Sequence, residues 1–361
     1  MNAGTSSGVG GRLPRISLGE LRASSQFLGV AVLLIGLFVA FSVTEPRFFT
    51  APNLRVMLTS VAILWMISLG LTVVMLTGGF DLSLGSMLGL AGFIYVGFAV
   101  KLGLPALLAV LLTVAAGAVI GGAANGFLIG RVRMPFLVVT IGTLSLFQGI
   151  TYLVSGGQTT SLTSSLLDSI GFGTALGVPY SVWIMLGTLV VSLFVLRRTY
   201  FGRDVYATGG NPRAAQLAGV SVTRTLIAAY AFAGGMAALG GVLQNAFISA
   251  ASPVGAGSII FDATAAVLLG GTALGGGVGG VGGTVVGVLF LGVLQNGLSL
   301  GGVQAAWQQV ISGAIVILAV LFQQLQGTGS PLLPRRRRPG DDASVGPFGS
   351  SNPPQKEEVQ V

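Results

Sequence analysis

The sequence predicts an all-α polytopic membrane protein with about ten transmembrane helices and with both termini in the cytoplasm. Of the 361 residues, 52% are hydrophobic and only 8% are charged, whereas a soluble domain carries about 25% charged residues. Long uncharged segments alternate with short loops that carry arginine. This alternation is typical of a chain that crosses a bilayer many times.

Ten apolar segments with few or no charged residues are predicted to span the membrane. The first could be mistaken for a signal peptide, but it is longer than a usual apolar signal region and lacks a small-residue cleavage site. The predicted spans are residues 27–44, 56–77, 83–100, 104–130, 135–155, 179–198, 225–247, 259–274, 281–299 and 305–323.

The distribution of basic residues predicts the orientation of these spans. With the N-terminus inside, 15 of the 18 lysines and arginines fall on the cytoplasmic side, and only Arg47, Arg55 and Lys101 fall outside. Cytoplasmic loops of membrane proteins carry this excess of positive charge. The resulting domains are a disordered N-terminus (residues 1–25), a transmembrane domain (26–325) that includes a cytoplasmic loop (199–224), and a disordered basic tail (326–361).

The loop at 199–224 contains a predicted short helix. Together with its flanks the loop carries five arginines against one acidic residue, Asp204. Asn211 suits the N-cap, Pro212 suits the first helical position, and Gly219 suits the stop. A short exposed helix between two spans indicates docking to a cytoplasmic partner.

A weak internal repeat relates the two halves of the chain. The dipeptide Phe80-Asp81 is followed by Asn125-Gly126, and the same two dipeptides recur five spans later at Phe261-Asp262 and Asn296-Gly297. Because five is odd, the halves would have opposite orientations, as in transporters with inverted repeats. The alternative to an inverted repeat is that the two dipeptides recur by chance.

Two carboxylates lie at the predicted ends of spans, and each has two interpretations. Asp81 and Asp262 either belong to a gate where a helix is broken, or cap the N-terminus of the following helix. The glycine-rich run 270–283 resembles a phosphate-binding loop, but no Gly-Lys-Ser/Thr follows it and the chain has no lysine between 102 and 355. A tight turn with close helix packing is therefore predicted there instead.

Uncharged amides are the main polar groups inside the predicted spans. They suit either a path for a neutral hydroxylated solute or hydrogen bonds between helices. Carboxylates are absent from mid-span positions, which argues against an ion-coupled secondary transporter, the alternative function. The chain has no Cys and no His, which excludes thiol nucleophiles, zinc clusters and Ser-His-Asp triads. No catalytic or metal site is predicted, and the chain is not expected to be an enzyme.

Four segments carry a resemblance to a known family: GGFDLSLGS (78–86), GGNPRAAQLAGV (209–220), FDATAAVLLGGTALGGGVGGVGGTVVG (261–287) and LGVLQNGL (291–298). Together they resemble the permease subunits of bacterial ATP-binding cassette (ABC) sugar importers of the ribose, xylose and galactose type. Branched-chain amino-acid permeases are more distant relatives. The resemblance covers about residues 27–323.

The resemblance implies a multi-pass permease in the bacterial inner membrane that imports ribose or a similar neutral monosaccharide. The implied partners are a separate ATP-binding subunit, a soluble sugar-binding protein, a second permease copy and the bilayer, with no nucleic acid. No cofactor is expected on this chain, because ATP and Mg²⁺ would be bound by the ATP-binding subunit.

The resemblance also assigns roles to residues. The predicted coupling helix, which would dock on the ATP-binding subunit, involves Arg203, Gly209, Gly210, Asn211, Pro212, Ala214, Ala215 and Gly219. The predicted translocation or gating residues follow instead from the polar groups in and beside the predicted spans, and they are Asp81, Asn125, Gln148, Gln244, Asn245, Asp262 and Asn296.

Overall fold

The apolar segments of the sequence form helices in the computed structural model, which describes the backbone of residues 18–253 and 258–327 and the side chains of 28–253 and 258–325. The long helices include α1 (Leu18–Thr44), α2 (Ala51–Leu76), α6 (Phe136–Ser155), α8 (Tyr180–Arg198), α11 (Val222–Ile248), α13 (Val281–Leu300) and α14 (Ala305–Gly327). The predictions for residues 1–17 and 328–361 lie outside the described residues.

Shorter helices and π-helical turns complete the architecture. α3 (Leu84–Val96) continues as a π-helix over Gly97–Lys101, and α4 (Ala106–Ile120) continues through a π-helix over Gly121–Gly126 into α5 (Phe127–Gly130). The others are α7 (Ser165–Phe172), α9 (Tyr200–Gly210), α10 (Pro212–Leu217) and α12 (Ile259–Leu269). Two antiparallel two-stranded pairs join β1 (Thr160–Ser161) to β4 (Ala250–Ala251) and β2 (Thr174–Ala175) to β3 (Val178–Pro179).

Eight helices within the described residues are long and apolar enough to cross a membrane. The two other predicted spans correspond to shorter apolar helices, Leu28–Thr44 and Ile259–Leu269. Each of the ten predicted segments therefore contains a helix, while a count of about ten spans stays a prediction. The predicted eighth span ran to residue 274, but α12 ends at Leu269 because the chain turns at Gly271, which has a positive φ of 84°.

The core forms around α2 and α11. In the apolar 18-residue stretch of α2, 83% of the residues are buried, whereas in that of α14 only 11% are buried. This low burial is expected if α14 lies against lipid. α11 packs against α2, α3 and α4. Small residues allow the approach to α4, because a Cβ at Gly121 would meet Gly234 Cα at 3.0 Å and one at Gly234 would collide with the Gly117 carbonyl.

The connecting loops gather at two opposite ends of the helices. At one end, called here the basic end, the segments 77–83, 131–135, 199–221 and 270–280 lie close together, and this end holds Arg131, Arg133 and the arginines of the 199–221 segment. At the far end, Gln148 Nε2 donates to the Pro253 carbonyl at 3.0 Å and β1 pairs with β4. The positive-inside pattern predicts that the basic end is cytoplasmic.

Candidate functional site

The short helix predicted in the cytoplasmic loop is present as α10, while its coupling role stays a prediction. The Asn211 side chain accepts a hydrogen bond from the Ala214 backbone N–H at 3.0 Å, Pro212 occupies the first turn, and Gly219 has a positive φ of 88°. The predicted cap, start and stop are therefore confirmed. Ala215 faces the protein at 5% exposure, whereas Leu217 is 91% exposed on the outer surface of the helix. The exposed face of α10 thus presents a large apolar side chain to the solvent at the basic end.

Gly209 and Gly210 lie in the last turn of α9, a helix that the sequence analysis did not predict. The Thr199 hydroxyl caps α9 by accepting from the Gly202 N–H at 3.4 Å. A Cβ at Gly209 would collide with the Leu76 carbonyl and lie 2.5 Å from Gly277 N, whereas a Cβ at Gly210 would meet nothing within 4 Å. Arg203 lies on α9, with its guanidinium 4.2 Å from the Tyr200 ring centroid.

Three backbone segments meet beside α9, and this contact is called here the glycine junction. It joins residues 76–79, which begin at the last residue of α2, to residues 209–210 at the end of α9 and to residues 275–280 before α13. Gly277 N donates to the Leu76 carbonyl at 3.0 Å, and Tyr206 Oη donates to the Gly279 carbonyl at 3.1 Å. The glycine run therefore forms the predicted tight turn and close contact.

A cavity of about 510 Å³ adjoins the glycine junction, between α8, α9 and the 270–283 loop. Arg197 and Tyr206 contribute polar groups to a wall that consists largely of glycine and leucine. Burial raises the pKa of Tyr206, while the positive charge of Arg197 acts in the opposite direction. The fold brings Arg197 to this loop, which the lack of lysine in the sequence did not predict.

Asp81 and Asn125, both predicted gating residues, are joined in one buried network. Asp81 Oδ1 accepts from Ser83 N at 2.9 Å and from Ser83 Oγ at 2.6 Å, and Asp81 Oδ2 accepts from Asn125 Nδ2 at 3.1 Å. Asn125 Nδ2 also lies 2.8 Å from Ser83 Oγ, and Asn125 Oδ1 accepts from Thr143 Oγ1 at 2.8 Å. These four side chains are called here the Asp81 network.

The Asp81 network stabilises the start of α3. Asp81 is 1% exposed, and burial raises its pKa, while the hydrogen bonds from Ser83 and Asn125 act in the opposite direction. The N-cap position of α3 is occupied by Ser83, and Asp81 Oδ1 accepts the N–H of Ser83 itself. Asp81 therefore holds the turn before α3 but is not its N-cap, so the capping interpretation of the sequence is wrong for Asp81. A gating role for Asp81 stays a prediction.

The second carboxylate lines a cavity at the end opposite to the basic end. This cavity of about 430 Å³ is called here the amide cavity, and its polar lining residues are Ser60, Gln244, Asp262, Gln295, Asn296, Ser299 and Gln308. Its apolar walls include Val56, Leu64, Phe247 and Ile259. Its volume lies in the range of small-molecule sites, and such sites combine apolar walls with a few placed polar groups.

The polar groups of the amide cavity are held by hydrogen bonds between helices. Asp262 on α12 accepts from Gln295 on α13 and from Ser312 on α14. Asn296 and Asn53 donate to each other, both at 2.9 Å. Gln308 Nε2 donates to Ser299 Oγ at 3.1 Å. The arrangement offers a carboxylate and several amides to a neutral solute without a buried cation.

The structure separates the predicted translocation residues into two groups. Gln244, Asp262 and Asn296 come together in the amide cavity. Asn125 belongs to the Asp81 network, Gln148 holds the Pro253 carbonyl, and Asn245 donates to the Gly92 carbonyl at 3.0 Å while 3% exposed. The hydrogen bonds of these three amides join helices to each other or to a loop, which favours the packing interpretation for them.

Several residues of these sites were absent from the sequence prediction. Ser60, Ser299 and Gln308 line the amide cavity, and Ser83 and Thr143 complete the Asp81 network. Single hydroxyl and amide residues within an apolar helix give no sequence signal that distinguishes a position lining a cavity from one that packs against a neighbouring helix. Leu217 could have been found, because it is a single large apolar residue in the polar segment 209–219.

Most of the chain is similar in sequence to a family of known proteins. A family model described as "Branched-chain amino acid transport system / permease component" matches residues 53–320. The ribose import permease protein RbsC of Escherichia coli is 37% identical over 294 residues, which cover 80% of this chain and 91% of that protein.

Two further relatives extend this similarity. The ribose import permease protein RbsC of Bacillus subtilis is 38% identical over 308 residues, covering 85% of this chain and 94% of that protein. The L-arabinose ABC transporter permease protein AraH of Azospirillum brasilense is 33% identical over 299 residues, covering 82% of this chain and 87% of that protein.

Proposed function

The chain belongs to the family of branched-chain amino acid transport system permease components, and on that premise we propose that it is the membrane permease of an ATP-driven importer for a neutral monosaccharide. Ribose or a related pentose is the proposed substrate. The observation that carries this proposal is the 37–38% identity to two ribose import permeases over at least 80% of the chain. As in that family, the chain is a transport subunit of the inner membrane and not an enzyme.

The amide cavity is the proposed entry site for the sugar. Its Asp262 carboxylate and its amides offer acceptors and donors to hydroxyl groups, while Phe247 and Leu64 offer apolar surface. The amide cavity lies at the end opposite to the coupling helix. This end, where the cavity lies, is predicted to face the sugar-binding protein. Asp81, Asn125, Gln148 and Asn245 are proposed to hold the walls in place rather than to contact the sugar.

The energy is proposed to come from a separate ATP-binding subunit that docks on α10. Leu217 supplies an exposed apolar contact, and Arg203 on α9 and Arg213 on α10 supply positive charge at the same end of the molecule. ATP and Mg²⁺ are proposed to bind to that subunit. A second copy of this chain is proposed to complete the permease as a homodimer. The ion-coupled alternative has no supporting observation among the relatives, whose names describe import permeases and an ABC transporter permease.

The test is ATP hydrolysis by the permease reconstituted in proteoliposomes with its ATP-binding subunit. We expect hydrolysis to rise when the sugar-loaded binding protein is added, and a panel of pentoses and hexoses would identify the substrate. Omission of the permease is the matched control. Sugar uptake that follows an ion gradient, with no binding of the ATP-binding subunit, would overturn the proposal.

A further inference from the structure

Five helices line the amide cavity, and four of them also reach either the glycine junction or the end of α10. α2 lines the cavity near its start at Val56 and ends at the glycine junction. α12 and α13 line the cavity at their far ends, and the 270–280 loop of the junction connects their near ends. α11 lines the cavity at Gln244, and at its other end it follows α10 directly along the chain. The helices that form the cavity walls at one end of the molecule therefore extend to the region around α9 and α10 at the other end.

The glycine junction joins these helices mainly through backbone contacts, to which the Tyr206 hydroxyl adds a side-chain hydrogen bond to the Gly279 carbonyl. A Cβ at Gly276 would lie 2.6 Å from Gly78 N, and a Cβ at Gly277 would lie 2.8 Å from Gly210 Cα. Gly276 and Gly277 have positive φ angles of 81° and 71°, which disfavour any other residue. Because no side chain separates the segments, no rotamer change can absorb a movement of α9, and close-packed contacts transmit displacement.

We propose that the glycine junction transmits the movement of α9 and α10 to the walls of the amide cavity. The inference rests on the proposed function, because it needs an ATP-binding subunit that moves α10. Gly209, Gly277 and Tyr206 are positioning residues in this role. The loop between α12 and α13 is thus a second coupling element, which acts through its contacts with α9.

The absence of cysteine in the chain permits a direct test with one reporter thiol. Ser60 is an exposed residue that lines the amide cavity, so Ser60→Cys places a thiol at the wall that should move. In proteoliposomes with the ATP-binding subunit, the labelling rate by a water-soluble maleimide is measured without nucleotide and with ATP plus vanadate. We expect the two rates to differ by at least about fivefold, the lower bound of a typical coupling between sites.

Variants at the junction are then compared in this background. Gly277→Ala is expected to abolish the difference between the two rates, and Tyr206→Phe, which removes only the hydrogen bond to Gly279, is expected to reduce it at least about twofold. Gly282→Ala is the matched control, because a Cβ there would meet nothing within 4 Å, and it should retain the full difference. ATP hydrolysis and binding of the ATP-binding subunit should persist in all three.

Each outcome decides one question. Retention of the full difference in Gly277→Ala overturns the transmission role, and if that variant does not fold, retention in Tyr206→Phe overturns it. The inference is also overturned if the labelling rate of the Ser60→Cys thiol is the same in both nucleotide states of a complex that binds and hydrolyses ATP. Failure of the parent chain to bind any ATP-binding subunit instead overturns the proposed function.

Discussion

Substitution of Asn125 by Asp would place a second carboxylate in the Asp81 network. The amide nitrogen that lies 3.1 Å from Asp81 Oδ2 would become a carboxylate oxygen. Two unit charges at that separation repel by about 5 kcal/mol at an effective dielectric constant of about 20. Two carboxylates this close share one proton instead, as in an aspartic-protease dyad. The shared proton replaces the donor that Asn125 supplied.

The retained proton makes the stability of the variant depend on pH. A folded-state pKa above the unfolded value contributes stability that is full below the unfolded pKa and is lost as the pH rises through the folded pKa. Burial already raises the pKa of Asp81, and the second carboxylate widens the window. Relative to the parent chain, the variant should lose about 1.4 kcal/mol for each pH unit in the part of that window that lies above the folded-state pKa of Asp81 in the parent.

Thermal unfolding of the purified chain in lipid nanodiscs, between about pH 5 and pH 8, measures this loss. We expect Asn125→Asp to unfold close to the parent temperature at the acidic end and about 3 °C lower for each further pH unit. Asn125→Ala is the control, because it removes the donor to Asp81 at every pH and should lower stability by about 1.5–3 kcal/mol with a much weaker pH dependence. Parallel curves for the two variants would refute the hydrogen-bonded contact between Asp81 and Asn125.

Three further predictions test the two ends of the molecule. Leu217→Asp should weaken binding of the ATP-binding subunit at least about tenfold, with an unchanged melting temperature because the side chain is 91% exposed; equal affinity in a binding assay would contradict docking through this face. Asn211→Ala removes the cap of α10 at a cost of about 1 kcal/mol and should lower the sugar imported per ATP hydrolysed, whereas an unchanged ratio would show that this helix is not coupled to transport. Asp262→Asn keeps the shape of the amide cavity and should reduce sugar uptake at least about fivefold while the loaded binding protein still stimulates ATP hydrolysis; undiminished uptake would place the sugar path elsewhere.

The sequence predicted the helical segments because charge and hydropathy alone mark them. The ten apolar segments all contain helices, and the cap, start and stop residues of α10 were identified from local chemistry. α9 was not predicted, because its sequence ends in Gly209-Gly210, which are poor helix formers. It forms since Val205 and Thr208 are buried against the rest of the protein. Tertiary contact therefore overrode local propensity.

The candidate sites were predicted as sets of residues but not as arrangements. Mid-membrane amides were recognised by type, yet the partners of each amide depend on the register between helices far apart in the sequence. Asn245 and Gln244 are adjacent in the chain, but Asn245 holds the Gly92 carbonyl while Gln244 lines the amide cavity. One residue along a helix changes the direction of a side chain by about 100°, so composition cannot separate the two roles.

The repeated dipeptides acquire a physical meaning from the sites that they form. Asp81 contacts Asn125 directly at the basic end, and Asp262 contacts Gln295, the neighbour of Asn296, at the opposite end. Each half thus brings a carboxylate near the start of one helix to an amide on another, and the two sites lie at opposite ends, which is the arrangement that an inverted repeat would produce. The environments differ, because Asp81 is 1% exposed and Asp262 lines a cavity. A motif used twice in this way would stabilise the fold in one half and face the solute in the other. The inverted repeat itself stays a prediction. Its consequence is that Asp81→Asn should affect the stability of the protein, whereas Asp262→Asn should affect sugar transport.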